Sequence, residues 1–306
     1  MSLALVRALV AGPVSPAVAS AADLRRRAGG SSGTIERAVS GGLAASSLAW
    51  AFACGYLAAL ERLVPGVTAN GTALAALCAT EQSGGHPRAI RTSLARREPG
   101  GWTLNGQKTW VTLGMDADVL LVVASTGASP DGRNELRVAR VPSSRTGVCL
   151  EPAAPLPFAA EIAHARVAFE AVAVDGSELL PGDGYAEVLK PFRTIEDLHV
   201  LAATLGWFVR VAHASRWEPS WIEEAVTLAL ALRDLDALPA LAAETHVALA
   251  GAFALARRLL AGAPWPSADA STYAAWERDR ALLEVASNVR AARREAAWRA
   301  LVAGEP

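Results

Sequence analysis

The chain has 306 residues, 52% hydrophobic and 19% charged, with a formal net charge of -1. Such a length accommodates two or three packed units, and such a composition describes a core-rich, alanine-heavy soluble protein. Near neutrality, without a basic stripe interleaved with aromatics, excludes an electrostatic nucleic-acid binder. Cys54, Cys78 and Cys149 are odd in number and far apart, so neither a disulfide framework nor a metal site is expected, and all three are read as reduced and buried.

The N-terminal run to Ala22 has one arginine, an apolar stretch and a small-residue end. It resembles a secretory leader in outline, but Gly12, Pro13 and Pro16 interrupt it. The expected location is cytoplasmic, and no window reaches the roughly eighteen apolar residues of a membrane span. Asp23 and Arg25-Arg26-Arg27 before Gly29-Gly30 read as a solvated helix face, with a phosphate contact as the alternative. From Thr34 to Leu63, the residues Leu43, Leu48, Phe52, Tyr56, Leu60 and Leu63 recur at helical spacing until Pro65-Gly66 stops the pattern. Residues 1–74 are therefore a helical N-terminal region.

Residues 75–190 read as a β domain. The apolar run Leu74 to Ala79 predicts a strand, ended by Thr80-Glu81-Gln82-Ser83-Gly84-Gly85, whose glycines let the backbone approach a ligand. Asn105-Gly106, between Trp102-Thr103-Leu104 and Lys108 to Thr112, predicts a two-residue hairpin, since a type I′ turn needs positive φ at both positions. Val119 to Val123 is a short continuous apolar run typical of a strand buried on both faces, and Ser129-Pro130-Asp131-Gly132 turns the chain. Leu136, Val138 and Val141, then Val148 and Leu150, then Val167, Phe169, Val172 and Val174 supply further strands. His164 has no Cys, Asp or second His at ligand spacing and reads as a structural residue.

Helical periodicity resumes at Phe192 and defines a third region, 191–306. Helices are predicted from Phe192 to Gly206, Pro219 to Leu235, Pro239 to Ala261 and Ala268 to Val302, with Trp276 to Arg299 as one long charged amphipathic stretch. Short loops between them imply an antiparallel helix bundle. Trp207, Trp217, Trp221, Trp265, Trp276 and Trp298 read as core and interhelix packing.

Two segments carry a resemblance. Leu77-Cys78-Ala79-Thr80-Glu81-Gln82-Ser83-Gly84-Gly85-His86-Pro87 and Gly106-Gln107-Lys108-Thr109-Trp110-Val111-Thr112-Leu113-Gly114 follow each other at an interval that is itself part of a signature. Together they resemble the flavin-binding face of the acyl-CoA dehydrogenase family. In that family Leu or an aromatic and two small residues precede Thr-Glu-Pro-x-x-Gly-Ser-Asp, and a Gly-x-Lys-x-Trp-Val/Ile-Thr-Asn-Gly segment comes later. Here His86 stands for the family's Ser, Pro87 for its Asp and Leu113 for its Asn. The resemblance implies an α+β fold: a helical N-terminal segment, a central β-barrel or sandwich domain and a C-terminal antiparallel bundle. It implies FAD as cofactor, held through Leu77, Ala79, Thr80, Gly85, His86, Trp110, Val111 and Thr112. Thr80 would meet the pyrimidine edge, Trp110 and Thr112 would back the isoalloxazine, and the Thr112 hydroxyl would lie near N5. Acyl-CoA or a related thioester is the implied substrate, and a homo-oligomer or a heteromer with another dehydrogenase-like chain the implied assembly.

The bundle departs from the family. The family's Glu-Arg pair, whose Arg lies by the substrate, is replaced by Glu196-Asp197; its Arg-x-x-Phe-Gly and Gln-x-x-Gly-Gly segments and its late catalytic Glu have no counterpart. Dehydrogenating a thioester needs a carboxylate base facing the flavin across the substrate. No catalytic residue is identified; Glu196, Glu218, Glu223, Glu224 and Glu244 are the carboxylates available, and Asp197 is expected to repel CoA phosphates weakly. Three readings stay open: an FAD-dependent oxidoreductase on CH-CH groups, a half-site subunit completed by another chain, and a scaffold that has lost its flavin.

Overall fold

The computed structural model describes residues 2–13, 17–27, 33–68 and 73–303; Pro16, Gly29-Gly30 and the side chain of Arg27, invoked above, lie outside the described residues. The chain divides into two compact units. One comprises Met1–Arg62, Leu156–Glu161 and Arg193–Pro306, the other Leu63–Pro155 and Ile162–Phe192.

The first unit is helical. Helix α1 (Ser2–Ala11) precedes α2 (Ala21–Arg27), α3 (Thr34–Ala44) and α4 (Leu48–Leu63); α5 (Lys190–Ala214), α6 (Pro219–Asp236), α7 (Ala243–Gly262), α8 (Ala270–Asp279) and α9 (Ser287–Ala303) follow the sheet. The apolar residues that gave the N-terminus its leader-like outline serve packing: Leu5 and Leu9 are buried, and the Leu9 carbonyl lies 2.8 Å from His213 Nε2. Ser20 caps α2 by accepting from the Asp23 N–H (3.2 Å), and the Asp23 carboxylate accepts from the Ala19 N–H (3.0 Å) and pairs with the exposed Arg26, which favours the solvated-face reading.

The helical run expected from Thr34 to Leu63 is two helices. The break at Ala45-Ser46-Ser47 arises because Val18 bridges Ala45: the Ser46 N–H donates to the Val18 carbonyl (2.9 Å) and the Val18 N–H to that of Ala44 (2.8 Å). Helices α3 and α5 then cross at backbone contact. A Cβ on Gly42 would stand 1.8 Å from the Ala203 carbonyl oxygen, and one on Gly206 would stand 2.1 Å from that of Val39, so any larger residue forces the helices apart. At the same crossing His199, fully buried, has Nδ1 2.7 Å from the Ile195 carbonyl and Nε2 2.9 Å from the Thr34 hydroxyl. A carbonyl only accepts, so Nδ1 carries the proton and Nε2 accepts from Thr34.

The tryptophans form the bundle core, with one exception. Trp265 stacks on Trp276 at 4.2 Å between centroids and on Trp207 at 5.7 Å, while Phe208 and Trp217 pack edge-on around them. Trp298 was expected in this core, yet it is 52% exposed on α9. The long helix expected from Trp276 to Arg299 is also broken. Asp279, fully buried, accepts from the Ala159 N–H (2.8 Å) and from Arg278 Nε (2.7 Å). That pull toward residues 156–161 ends α8 in a 3-10 turn (Arg280–Glu284), and α9 restarts after Ala286, at φ 58°. The stretch from Pro239 is helical only from Ala243 on: residues 239–242 close a turn in which the Pro239 carbonyl accepts from the Ala242 N–H (3.0 Å) and from the Thr245 hydroxyl (2.8 Å).

The second unit is a sheet, seven-stranded among the described residues: β1 (Ala75–Cys78), β2 (Ser93–Arg96), β3 (Trp102–Val111), β4 (Val119–Ala128), β5 (Asn134–Pro142), β6 (Val148–Pro152) and β7 (Ala165–Val174). The order is β1-β4-β2-β3-β7-β6, with β5 on β4. β1 runs parallel to β4 with Leu77 opposite Leu121; the β2–β3, β3–β7, β4–β5 and β6–β7 pairs are antiparallel. One face of the strands makes the core, with Ala76, Cys78, Leu104, Val111, Leu120, Val122, Val141, Val167, Phe169 and Val172. Leu121 and Val123, which alternate with that face, are also fully buried, as the continuous apolar run predicts. Of the cysteines only Cys78 is buried, its thiol pushed up to about 12 by burial; Cys149 is exposed.

The expected Asn105-Gly106 hairpin is absent. β3 passes straight through, the chain reverses earlier between Arg96 and Trp102, and Gly106 sits at a bulge where the register against β7 slips between Leu104 and Gly106. Gly106 has φ 146°, and a Cβ there would lie 2.6 Å from the Thr92 Cα. Asn105 Oδ1 accepts from the N–H of Ala171 (2.7 Å), a residue at φ 49°. The dipeptide thus serves a bulge facing β7, a use of positive φ that the hairpin rule does not distinguish.

Candidate functional site

The two signature segments meet at one edge of the sheet unit. Thr80 forms an antiparallel bridge with Trp110, and the Thr109 N–H donates to the Thr80 carbonyl at 2.9 Å. Just after Thr80 the chain folds back in a turn closed by two hydrogen bonds between Glu81 and Gly84, where Gly84 takes φ 102°.

A buried ion pair holds this junction. Lys108 Nζ donates to Glu81 Oε1 (2.8 Å), to the Val123 carbonyl (2.7 Å) and to the Ala79 carbonyl (3.4 Å). Its side chain is 0% exposed and that of Glu81 8%. Glu81 also accepts from the N–H groups of Arg91 (2.7 Å) and Thr92 (3.0 Å) and from the Thr92 hydroxyl (2.8 Å). Burial pushes the Glu81 carboxyl up, but the hydrogen bonds from Lys108, Thr92 and Arg91 outweigh it and hold Glu81 below the usual carboxylate range. Burial likewise drives Lys108 down, against the pull of Glu81. The ammonium's three protons all have acceptors, which is the condition under which a buried pair is tolerated. Sequence reading named Glu81 and Lys108 only as pattern positions and missed this clamp; two opposite charges inside otherwise apolar strand sequences were the available signal.

The expected cofactor residues fall into four sets. Thr80, Trp110 and Thr112 are half-buried at the junction. Leu77 is buried off the core face of β1, and Ala79 follows it with the same alternation, its carbonyl engaged by Lys108. Gly85 and His86 are exposed, and His86 Nδ1 accepts from the Arg88 N–H (3.2 Å) to cap a 3-10 turn. A Cβ on Gly85 would meet the Thr80 hydroxyl at 3.5 Å. The Val111 side chain is fully buried in the sheet core, and its carbonyl accepts from the Gly114 N–H at 3.1 Å. Leu113, standing for the family's Asn, is buried with φ 59°, a conformation that Asn adopts readily and that leucine holds here against its preference.

His164, read from sequence as structural, lies against Trp110 with ring centroids 4.7 Å apart. Burial lowers its pKa, and its buried Nδ1 has no hydrogen-bond partner among the described residues. Two threonine hydroxyls beside a half-buried indole, on Thr80, Thr112 and Trp110, suit a planar heterocycle with polar edge atoms, so the residues present fit a flavin. Among the described residues no group of His, Cys, Asp and Glu is placed to hold a metal, and no helix is long and apolar enough to cross a membrane.

The candidate bases lie in the helical unit. Glu218, Glu223, Glu224 and Glu244 are exposed. Glu196 is buried, raised by desolvation, and paired with Arg193 at 2.8 Å. Asp197 is 3% exposed and pairs with Arg193 (2.9 Å) and Arg290 (3.0 Å). The expected repulsion of CoA phosphates therefore does not arise from Asp197, whose charge two guanidiniums neutralise.

Comparison with known proteins agrees with this geometry. Residues 76–172 match the family described as acyl-CoA dehydrogenase, middle domain. No curated protein sequence matches the chain. Among solved structures, TdsC from Paenibacillus sp. A11-2 in complex with FMN and indole aligns with 99% of this chain and 94% of its own, at TM-score 0.71 and 17% identity. FkbI, described as acting in biosynthesis of a methoxymalonyl extender unit, covers 99% of both chains at TM-score 0.64 and 17% identity. Butyryl-CoA dehydrogenase from Megasphaera elsdenii covers 86% of this chain and 81% of its own, at TM-score 0.62 and 16% identity. At these identities the likeness is one of fold.

Proposed function

We propose, from the premise that the chain is acyl-CoA dehydrogenase-like, with that family's middle domain at residues 76–172 inside that family's fold, that it is an FAD-dependent oxidoreductase acting on an acyl thioester. The observation that carries the reading is the Glu81–Lys108 clamp, which fixes Thr80 against Trp110. A bound flavin supplies a two-electron acceptor. Thr80 and Thr112 would offer hydroxyls to its polar edge, and Trp110 would give it an apolar backing.

Among the described residues the helical unit supplies no free buried carboxylate to take a substrate proton, since Glu196 and Asp197 are engaged by Arg193 and Asp279 by Arg278. The chain alone is therefore expected to be slow as a dehydrogenase, because losing a positioned base removes roughly 10² to 10⁴ of rate. A second chain of similar architecture would restore it, and assembly as a homo-oligomer or heteromer belongs to this proposal.

The same observation favours a second reading, an oxygen-using flavin enzyme that abstracts no α-proton. A solved structure of similar fold is described as dibenzothiophene monooxygenase (TdsC).

The test begins with the flavin. The purified chain is titrated with FAD and with FMN, and the Thr80→Ala, Thr112→Ala double variant should bind more weakly by about 0.5–1.5 kcal/mol per lost hydrogen bond. Unchanged affinity in that variant removes the site. Anaerobic mixing with short, medium, long and polycyclic acyl-CoA thioesters then follows flavin bleaching: fast bleaching by the chain alone refutes the slow-dehydrogenase part. Oxygen consumption by the reduced, flavin-loaded chain with no bleaching by any thioester selects the second reading.

A further inference from the structure

We propose that Asn134 is a positioning residue of the flavin site: its side-chain amide holds the turn from His86 to Ile90 beside Thr80, so that the N–H groups of Gly85 and His86 are presented to the phosphate of a flavin. The inference rests on the flavin reading above and concerns a residue that neither signature segment contains.

Asn134 opens β5 and lies half-buried opposite Ala128 of β4. From there its Nδ2 donates to the carbonyls of Pro87 and Ile90, both at 3.0 Å, across 47 and 44 residues of chain. A carbonyl only accepts, so both amide hydrogens are committed to the turn and Oδ1 is left to accept from the Ser125 hydroxyl. The amide therefore has one orientation. The segment it grips is a 3-10 turn, Pro87–Ala89, closed by the Ala89 N–H on the His86 carbonyl (2.7 Å) and ended by the buried Ile90. The Glu81–Lys108 pair fixes the start of the loop at Thr80; Asn134 fixes its end.

What the loop presents between those two anchors is suited to an anion. Gly85 and His86 are exposed, and their N–H groups donate to no acceptor among the described residues. They stand close to the ring's expected edge, since a Cβ on Gly85 would lie 3.5 Å from the Thr80 hydroxyl. No Asp or Glu occurs from Gln82 to Arg97, while Arg88 and Arg91 are exposed within that stretch. The carboxylate just before it, Glu81, is neutralised by Lys108. Uncommitted N–H groups in an acid-free turn that carries arginines match a phosphate, the one anionic group that FMN and FAD share and riboflavin lacks. The contribution of Asn134 therefore falls on phosphate-bearing flavins.

Asn134→Asp tests this in the full-length chain, because it keeps the shape of the side chain and sets a carboxylate oxygen against two carbonyls. FMN, FAD and riboflavin are titrated with flavin fluorescence as the readout. The variant should bind FMN and FAD at least about tenfold more weakly, as the loss of two hydrogen bonds implies, and should lower the ratio of FMN to riboflavin affinity by a similar factor. Its isoalloxazine absorption at saturation should match wild type, because the Glu81–Lys108 clamp still fixes Thr80 against Trp110. Unchanged FMN affinity, an equal loss for FMN and riboflavin, or shifted absorption bands overturns the proposal. If Asn134→Asp fails to fold, Ser125→Ala takes its place: it frees Oδ1 and should lower the same ratio about threefold, and an unchanged ratio overturns the proposal. Wild type that binds no flavin overturns the flavin reading and this inference with it; wild type that binds FMN no better than Asn134→Asp does overturns this inference alone.

Discussion

In the sheet unit one ammonium, Lys108, is buried with one carboxylate, Glu81, and backbone carbonyls and N–H groups take up the hydrogen-bonding capacity left over. In the helical unit two carboxylates, Glu196 and Asp197, are buried near Arg193 and Arg290, with Asp197 shared by both guanidiniums. Arg290 is further held by the carbonyls of Leu283 and Val285 and lies 4.3 Å over the Phe253 ring. The difference shows two uses of buried charge. The sheet pair joins two strand segments 27 residues apart in the chain and positions Thr80 and Trp110. The helical cluster ties α5 to α9 across 93 residues.

The largest break in this comparison should come from Lys108→Met. It leaves Glu81 buried without its counter-charge, and removing one partner of a buried pair costs about 3–5 kcal/mol. Urea unfolding should show that loss, and flavin affinity should fall with it because Thr80 and Trp110 lose their clamp. Loss of flavin affinity without a change in unfolding would mean that Lys108 acts on the ligand directly.

Acid should separate the two units. The His199 pKa is lowered to about 4 by burial, against about 6.5 when unfolded. Between those values the unfolded chain binds the extra proton, so the His199 contribution is present above pH 6.5 and is lost as pH falls to 4, on the order of 3 kcal/mol in all. Glu196, raised by burial, acts with the opposite sign: its folded form keeps a proton to higher pH, so the same fall in pH returns stability. The sheet pair behaves differently again, because Glu81 is lowered and its contribution, full above the ordinary carboxylate pKa, is lost only as pH falls through that value and below it. Unfolding measured from pH 7.5 to 4 in wild type and His199→Gln isolates the histidine. A pH slope that survives the substitution would assign the effect elsewhere.

The smallest of these effects concerns the bulge. Gly106→Ala places a Cβ against Thr92 at a φ that L residues rarely adopt, which costs about 1–3 kcal/mol. It should lower the thermal midpoint while leaving Lys108 paired, visible as near-normal flavin affinity in the folded protein. A neutral Gly106→Ala would mean that β3 and β7 can pair without the register slip.

Legibility differed along the chain for physical reasons. β4 and β7 were readable because β-branched residues alternate or run continuously where a strand is buried, and α5 because its apolar residues recur with helical period. The Asn105-Gly106 dipeptide misled because positive φ serves a bulge as well as a turn. The break between α8 and α9 was unreadable because Asp279 is drawn away by a backbone N–H at Ala159, 120 residues earlier. His164 reads as structural because nothing at ligand spacing surrounds it in sequence, and its packing against Trp110 arises only in the fold.

The sequence by itself determined the periodicities, and so the succession of helices, strands and helices, together with the Thr80-Glu81 and Lys108 to Thr112 segments that carry the family resemblance. These are local properties: a side chain's alternation and a motif's spacing follow from chain geometry alone. Only the tertiary structure decided that Glu81 and Lys108 neutralise each other, that Asp197 faces two arginines, and that Val111 turns into the core. Charge pairing and burial depend on which distant groups share a low-dielectric space, and the order of residues along the chain does not contain that distance.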